Sequence, residues 1–340
     1  MLLCACTWGS YAEGDNLLRL CSPGKNIEVC VDTDEGRLVY SVKKGKVEVL
    51  EASRLGLVVD GKDLGRNVSL AAEPEVEKFK TEYPLFGHHA MASDKAVEAM
   101  LPLSADGVRY GLVVRVYDDG VAVRYVLPEN ARRIERELTA WNVPRSVKKV
   151  AWAGYDIGYE KEAYVTRMDE MPENEYVCGP LTVELPEGYM TFTEADCEDF
   201  PDMAFSRSGN GFKSCFPASE KGWDIKRLPD ESEKVLAGKY KGKDVSPWRC
   251  AIIASDLTGL VNSDLLTNLC PSPEEGRDFS WVKPGRCLWQ WWSVGAPRYE
   301  DQKAWFDAAA ELSWEYYLID DGWRNWRKDG KDQWELLKEV

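Results

Sequence analysis

Two short segments near the end of the chain carry the residue types best suited to chemistry. They are residues 289–293 (WQWWS) and residues 320–323 (DDGW), and nine of the 14 tryptophans lie between Trp281 and Trp334. An indole ring offers a flat apolar surface to the C–H face of a pyranose. Adjacent carboxylates accept strong hydrogen bonds from neighbouring hydroxyls. The two segments therefore indicate a sugar-binding site.

The intervening residues predict how these segments are positioned. Residues 301–312 predict a helix, because Trp305, Ala308, Ala309 and Leu312 recur at helical spacing. A strand, a helix and a strand at this spacing predict a βαβ unit with parallel strands. In an α/β barrel the C-terminal strand ends face the ligand. We therefore expect five substrate-binding side chains at one barrel mouth: Trp291, Trp292, Asp320, Asp321 and Trp323. The alternative is that the tryptophans are core residues and Asp320 caps the next turn.

Composition limits the function classes. The 340 residues leave room for about two domains. A net charge of −15 argues against nucleic-acid and anionic-membrane partners, which require basic patches. No segment is long enough to cross a membrane as a helix. The ten cysteines show no metal-ligand spacing, and His88 and His89 are the only histidines, so we expect no zinc site.

The N-terminus gives the only indication of location. Residues 3–6 (LCAC) resemble the end of a bacterial lipoprotein signal, with Cys6 as the lipidated residue. The basic start and full apolar run of a secretory signal are not present. Residues 1–20 are therefore interpreted as a possible signal remnant or leader. We expect a periplasmic, outer-membrane-associated or secreted protein of a Gram-negative bacterium.

Residues 21–275 predict a large β-sandwich. Residues 27–31 and 38–42 flank a turn, and residues 111–117 and 121–127 flank a second turn, so both pairs predict hairpins. Arg115 and Arg124 interrupt the second pair, and we expect them on the solvated face. Further β runs lie at residues 55–59, 149–153, 181–185, 190–193 and 250–253. Many short strands separated by turns are typical of a sandwich.

A Pro-, Gly- and acid-rich stretch at residues 271–276 (PSPEEG) ends the β pattern. The second domain is therefore expected at residues 278–340, as the first βα units of an α/β barrel.

An acidic loop at residues 191–201 (TFTEADCEDFP) suggests a cation site. Glu194 follows a predicted strand, and carboxylates in a short loop can supply oxygen ligands to calcium. The glycine and spacing of an EF-hand are absent. From residue types alone, a solvated acidic loop remains the alternative.

Four motifs together resemble glycoside hydrolase family 97: residues 193–196 (TEAD), 280–286 (SWVKPGR), 289–293 and 319–323 (IDDGW). The resemblance spans residues 21–340 and implies an N-terminal β-super-sandwich followed by a TIM-type (β/α)8 barrel. It implies an exo-acting, calcium-dependent α-glycosidase, with Glu194 as a calcium ligand reaching the barrel mouth. Trp323 corresponds to a tryptophan that contacts the sugar, and Asp320 and Asp321 to positions near its hydroxyls.

The chain departs from the family pattern because it ends early. A full barrel needs about 250 residues, whereas residues 284–340 hold two of its eight βα units. Glycoside hydrolysis needs two carboxylates flanking one bond, about 5–9.5 Å apart. Asp320 and Asp321 are neighbours whose side chains point in different directions, so they are not assigned as that pair. We expect the catalytic carboxylates beyond Val340, and an inactive chain in isolation.

Three functions remain open at this point. The first is an α-glucosidase that removes terminal α-linked glucose from an oligosaccharide. The second is an α-galactosidase of the same family. The third is a non-catalytic carbohydrate-binding β-sandwich protein.

Overall fold

The computed structural model describes residues 17–85, 87, 89–198, 200–219, 222–224, 245–272 and 276–340. The chain divides into two compact units, Met1–Ser272 and Pro273–Val340, here called the sandwich unit and the second unit. The possible leader, Cys6 and His88 lie outside the described residues. Within the described residues, no helix has the length and apolarity required to span a membrane.

The sandwich unit consists almost entirely of strands. In chain order they are β1 (Leu18–Cys21), β2 (Ile27–Asp34), β3 (Arg37–Lys44), β4 (Val47–Arg54), β5 (Leu57–Val59), β6 (Lys62–Asp63), β7 (Val68–Leu70), β8 (Glu75–Pro84), β9 (Met91–Ala105), β10 (Val108–Tyr117), β11 (Gly120–Val126), β12 (Arg133–Glu137), β13 (Ala140–Asn142), β14 (Lys149–Gly154), β15 (Ala163–Arg167), β16 (Val177–Leu185), β17 (Gly188–Ala195), β18 (Ala204–Ser208), β19 (Gly211–Cys215), β20 (Trp223–Asp224) and β21 (Trp248–Ala254). A 3-10 turn spans Pro217–Ser219, and two short helices follow, α1 (Leu257–Val261) and α2 (Leu265–Leu269).

Two antiparallel series of strands form this unit. One runs β8-β9-β10-β11-β21-β17-β16-β14-β15. The other runs β1-β2-β3-β4-β13-β19-β18, and β18 also pairs with β16. A smaller sheet has the order β20-β12-β5-β6. This large antiparallel structure confirms the predicted mainly-β domain.

Alternating apolar residues build the core between the two series. Leu38 and Val42 of β3 and Leu112 and Val114 of β10 are fully buried in one cluster. The residues between them on each strand face the other way, as the two-residue period of a strand requires. Burial on one face therefore fixes the register of each strand.

Both predicted hairpins are confirmed. β2 and β3 pair across the turn with Asp34 opposite Arg37, and β10 and β11 pair with Tyr117 opposite Gly120. A Cβ at Gly120 would lie 2.5 Å from the carbonyl oxygen of Ala251. Glycine at this position therefore allows β11 to approach β21 closely.

The prediction that Arg115 and Arg124 lie on the solvated face is wrong. Their side chains are only 16% and 22% exposed. Arg115 donates to Glu98 at 2.6 Å, and Arg124 donates to Asp196 at 3.0 Å. Arg124 also lies over the indole of Trp248, 4.4 Å from the ring centroid. Ion pairing and cation–π contact offset the loss of hydration, so the two arginines pack on this outer face of the sheet.

The second unit contains the predicted βαβ arrangement. Its elements are β22 (Cys287–Trp289), α3 (Trp291–Val294), a 3-10 turn (Tyr299–Asp301), α4 (Gln302–Glu311), β23 (Tyr316–Leu318), a 3-10 turn (Trp323–Asn325) and α5 (Gln333–Glu339). β22 and β23 are parallel, with Cys287 opposite Tyr316. The predicted helix at 301–312 is therefore confirmed as α4. Closure into a full barrel stays a prediction.

An ion pair joins the starts of the two parallel strands. Arg286 donates through Nη2 to Glu315 Oε1 at 2.9 Å, and its backbone N–H donates to Glu315 Oε2 at 2.7 Å. These hydrogen bonds lower the pKa of the Glu315 carboxyl to about 2. The contact fixes the alignment of the residues that precede β22 and β23.

We expect the Glu315 carboxyl to titrate near pH 2 in a carbon-detected NMR titration. A depressed carboxyl pKa stabilises the fold above the unfolded pKa of about 4.3, and this contribution is lost as the pH falls from there towards the folded value. The matched variant Arg286→Gln should return the pKa of Glu315 towards about 4.3. An unchanged titration in that variant would contradict the assigned cause.

Candidate functional site

A tryptophan and a carboxylate join the C-terminal ends of the parallel strands. Trp289, the last residue of β22, donates its indole N–H to Asp320 Oδ2 at 2.6 Å. Asp320 Oδ1 accepts from the backbone N–H of Asp321 at 2.7 Å. Both oxygens of Asp320 thus have partners within the chain, so this carboxylate orients the indole and the following turn. The alternative expectation that Asp320 caps the next turn is therefore partly correct.

The other predicted residues of this region are more exposed. Trp291 and Trp292 lie in the short helix α3 rather than in the strand, and the Trp292 side chain is 87% exposed. The Trp289 and Trp292 rings are 5.5 Å apart and tilted. Asp321 is exposed. The strand ends therefore present indole surface and one solvent-facing carboxylate together, as a sugar site requires.

Trp323 is half-buried rather than enclosed. Its ring packs edge-on against Trp334, with the centroids 5.1 Å apart. Gly322 has a φ of +108°, and a Cβ there would lie 3.1 Å from the Cβ of Ala296. The glycine of the DDGW motif is thus required by the turn that places Trp323.

A buried polar network that sequence reasoning missed lies beneath these residues. Gln290 and Gln302 are almost fully buried. The Tyr317 hydroxyl lies 2.5 Å from Gln290 Oε1 and 2.9 Å from Gln302 Oε1. The network ties α4 to both strands and so fixes the residues on either side of Gln290. The only sequence signal was a glutamine among tryptophans, which does not reveal burial.

In the sandwich unit, Glu194 is held by a buried arginine. Glu194 lies near the end of β17, directly opposite Arg249 of β21. Arg249 Nη1 donates to Glu194 Oε2 at 2.5 Å. The Arg249 side chain is 0% exposed and that of Glu194 is 19% exposed. The arginine therefore anchors one oxygen of Glu194 while part of the carboxylate stays accessible.

A second carboxylate completes the group. Glu137, at the end of β12, is 0% exposed and accepts from Arg249 Nε at 2.8 Å and from Nη2 at 2.6 Å. Two carboxylates and one guanidinium leave this Glu137–Arg249–Glu194 triad with a net charge of −1. Because Glu137 already neutralises the arginine at close range, the negative charge of Glu194 remains to attract a cation.

The surroundings perturb the titration of both exposed and buried members. Burial raises the pKa of the Glu194 carboxyl, and Arg249 opposes that shift. Burial lowers the pKa of Arg249, but its two carboxylate partners outweigh this, so the net shift is upward. Asp202 also raises the pKa of Glu194 and itself accepts from the hydroxyls of Tyr155 at 3.0 Å and Tyr159 at 2.6 Å.

Glu194 fits calcium as a single ligand. Calcium takes about six to eight oxygen ligands. Within the described parts of the chain, no group of three His, Cys, Asp or Glu side chains could hold a metal ion. The described residues therefore offer an anchored, partly exposed carboxylate but not a complete calcium site. The role of Glu194 as a ligand stays a prediction.

The chain is similar to known glycosidases. It is 30% identical over 321 residues to a probable retaining α-galactosidase of Streptomyces bingchenggensis, covering 92% of this chain and 46% of that protein. It is 25% identical to a retaining α-galactosidase of Bacteroides thetaiotaomicron, covering 95% of this chain and 52% of that protein. The chain thus spans about half the length of the curated relatives it matches.

A family model described as glycosyl-hydrolase 97 N-terminal matches residues 20–271. The chain belongs to glycoside hydrolase family 97, as the four motifs predicted. The match covers the sandwich unit almost completely.

Solved structures share the fold. A β-arabinopyranosidase superimposes with a TM-score of 0.75 at 21% identity, covering 94% of this chain and 53% of that chain. A family 97 enzyme from Pseudoalteromonas sp. strain K8 in complex with acarbose gives a TM-score of 0.75 at 23% identity, covering 92% of this chain and 48% of that chain. The predicted super-sandwich is consistent with these neighbours.

Proposed function

We propose that the protein is an exo-acting α-glycoside hydrolase that removes terminal α-linked galactose from oligosaccharides and retains the configuration at the anomeric carbon. The family match over residues 20–271 carries the proposal. Both curated relatives are retaining α-galactosidases by name, which favours galactose and retention.

The strand ends of the second unit are the proposed sugar-contacting surface. Trp291, Trp292 and Trp323 supply apolar ring faces, and Asp321 supplies an exposed carboxylate for hydroxyl groups. Asp320 acts mainly by orienting the Trp289 indole. Retention requires a nucleophile and an acid about 5–5.5 Å apart, and Asp320 and Asp321 are not assigned to either role.

Calcium is the proposed cofactor, with Glu194 as one oxygen ligand. The support is the net negative charge of the Glu137–Arg249–Glu194 triad and the partial exposure of Glu194. A bound calcium ion would supply a positive charge that polarises substrate oxygens. Arg249 holds the Glu194 carboxylate in place and keeps it ionised.

A location outside the cytoplasm is also proposed. It is supported by the lipoprotein-like residues 3–6 alone.

Hydrolysis of terminal α-linked glucose is the second candidate. It was the first expectation from the sequence, and it is favoured by family 97 structures from Pseudoalteromonas sp. strain K8 in complex with acarbose and with panose. Both candidates use the same fold and the same proposed surface, so only the substrate separates them.

Initial rates on p-nitrophenyl α-galactoside and p-nitrophenyl α-glucoside separate these functions. We expect kcat/KM to be at least about tenfold higher for the galactoside, a difference of about 1.4 kcal/mol in transition-state binding. The inverse ratio would establish the second candidate. Sugar binding without hydrolysis of either compound would contradict the proposal and support a carbohydrate-binding protein.

A further inference from the structure

Two exposed cysteines lie on neighbouring segments of the sandwich unit. Cys197 follows the end of β17, and Cys270 is the C-terminal cap of α2. Both are exposed free thiols. Leu265 and Leu269 of α2 belong to the same buried cluster as Ala195 of β17, so the end of the helix packs beside the end of the strand.

A direct contact fixes the distance between the two segments. The backbone N–H of Asp196 donates to the Cys270 sulfur. Asp196 immediately precedes Cys197 in the chain, so the Cys270 sulfur lies within one residue of Cys197. A disulfide joins residues whose Cα atoms are about 4.4–6.8 Å apart. The contact through Asp196 gives a separation of this order, since adjacent Cα atoms are about 3.8 Å apart.

We propose that Cys197 and Cys270 form a reversible disulfide when the protein meets a low-molecular-weight disulfide oxidant such as oxidised glutathione. The thiolate of one cysteine attacks the oxidant, forms a mixed disulfide and releases one reduced glutathione. The second cysteine loses its proton, attacks the mixed disulfide and releases another reduced glutathione. Both protein thiols are oxidised, and one glutathione disulfide is reduced.

The other cysteines nearby are poorly placed to compete. Cys250 is fully buried, and its thiol donates to the carbonyl of Trp248 at 3.7 Å. Cys215 lies on β19, in the other strand series from β17. Among the described residues there is no group of three metal-ligating side chains, so a metal clip through these thiols has no support.

The electrostatic surroundings favour the oxidised form. Burial raises the pKa of Cys197 to about 12, and the nearby carboxylate of Glu194 adds to that shift. Burial also raises the pKa of Cys270. A thiolate that gains no stabilisation leaves the reduced state without the advantage that strongly oxidising dithiols have. The same shifts make the first attack slow at neutral pH and faster as the pH rises.

The crosslink would fix the loop that follows Glu194. Residues 196–198 would be tied to the end of α2, which lies next to the boundary of the sandwich unit. A disulfide that closes a loop of about 70 residues restricts the unfolded chain strongly. We expect the melting temperature of the sandwich unit to rise by roughly 5–10 °C on oxidation.

Mass spectrometry tests the proposal on the whole chain. The protein is equilibrated at pH 8.5 with oxidised and reduced glutathione, its remaining thiols are alkylated in denaturant, and the digest is searched for linked peptides. We expect one dominant crosslinked peptide pair, containing Cys197 and Cys270, and the loss of two free thiols. Added reductant should restore both thiols.

Two variants and one control make the result decisive. Cys197→Ser and Cys270→Ser should each abolish the crosslink and the oxidation-dependent rise in melting temperature. Cys287→Ser removes an exposed thiol of the second unit and should leave both unchanged. Alkylated Cys197 and Cys270 in the oxidised sample, stable glutathione adducts on either, or a dominant crosslink to another cysteine would each overturn the proposal.

Discussion

Replacing Arg249 by methionine should lower the free energy of unfolding of the sandwich unit by about 3–5 kcal/mol. The guanidinium is 0% exposed and binds two carboxylates, of which Glu137 is also 0% exposed. Without the arginine, Glu137 would be a buried, unpaired charge. Such a charge costs more than the pair contributes, which is why removing one partner has a large effect. Urea denaturation followed by far-UV circular dichroism measures the change.

Matched variants separate the buried charge from simple loss of volume. The double variant Glu137→Met, Arg249→Met removes the unpaired charge and should recover more than half of the lost stability. Arg249→Lys keeps the charge but not the forked geometry, and it should fall between the wild type and Arg249→Met. Arg167→Met breaks an ion pair with Asp169 on the surface and should leave the denaturation midpoint unchanged. A loss below about 1 kcal/mol for Arg249→Met, a value expected of exposed pairs, would contradict the assigned role.

Replacing Glu194 by alanine in the active protein should weaken calcium binding by more than about 100-fold and reduce glycosidase activity in parallel. Loss of groups that only support a metal ligand typically costs about 10–100-fold in affinity, so loss of a ligand should cost more. Isothermal titration calorimetry with calcium gives the affinity independently of activity. Near-wild-type activity in calcium-depleted buffer would show that Glu194 is not a ligand.

Glu198→Gln is the matched control for this prediction. Glu198 lies four residues further along the same acidic loop and is exposed. Its neutralisation changes the local charge by the same amount, but it removes no carboxylate held by Arg249. We expect calcium affinity and activity close to those of the wild type. An equal loss in both variants would indicate a diffuse electrostatic effect of the loop rather than ligation by Glu194.

The strands with strict apolar alternation were predictable from the sequence. The β2–β3 and β10–β11 hairpins follow from the period of two and from their turn residues. β8 was missed, because most of its residues are exposed and charged, so its two-residue period carries no apolar signal. Its pairing partner β9 supplies the hydrogen bonds along the whole strand. Backbone pairing, which is independent of side-chain type, therefore determined what the pattern did not show.

The site residues were predictable by type and local position but not by partner. The DDGW motif and Glu194 stand out because acidic residues follow predicted strands. That Asp320 accepts from Trp289, and that Arg249 links Glu137 to Glu194, depends on contacts between distant parts of the chain. Arg249 lies within an apolar run, a position that sequence reasoning treats as an interruption of the strand. Pairing of a buried charge is a property of the fold, so only the structure reveals it.

Proton NMR of a reaction on p-nitrophenyl α-galactoside tests the proposed activity most directly, since it records hydrolysis and the configuration of the released sugar together. The anomeric proton of α-galactose should appear first, and β-galactose should then accumulate by mutarotation. Initial release of β-galactose, or no hydrolysis by an intact, calcium-supplied enzyme, would contradict the proposal of a retaining α-galactosidase.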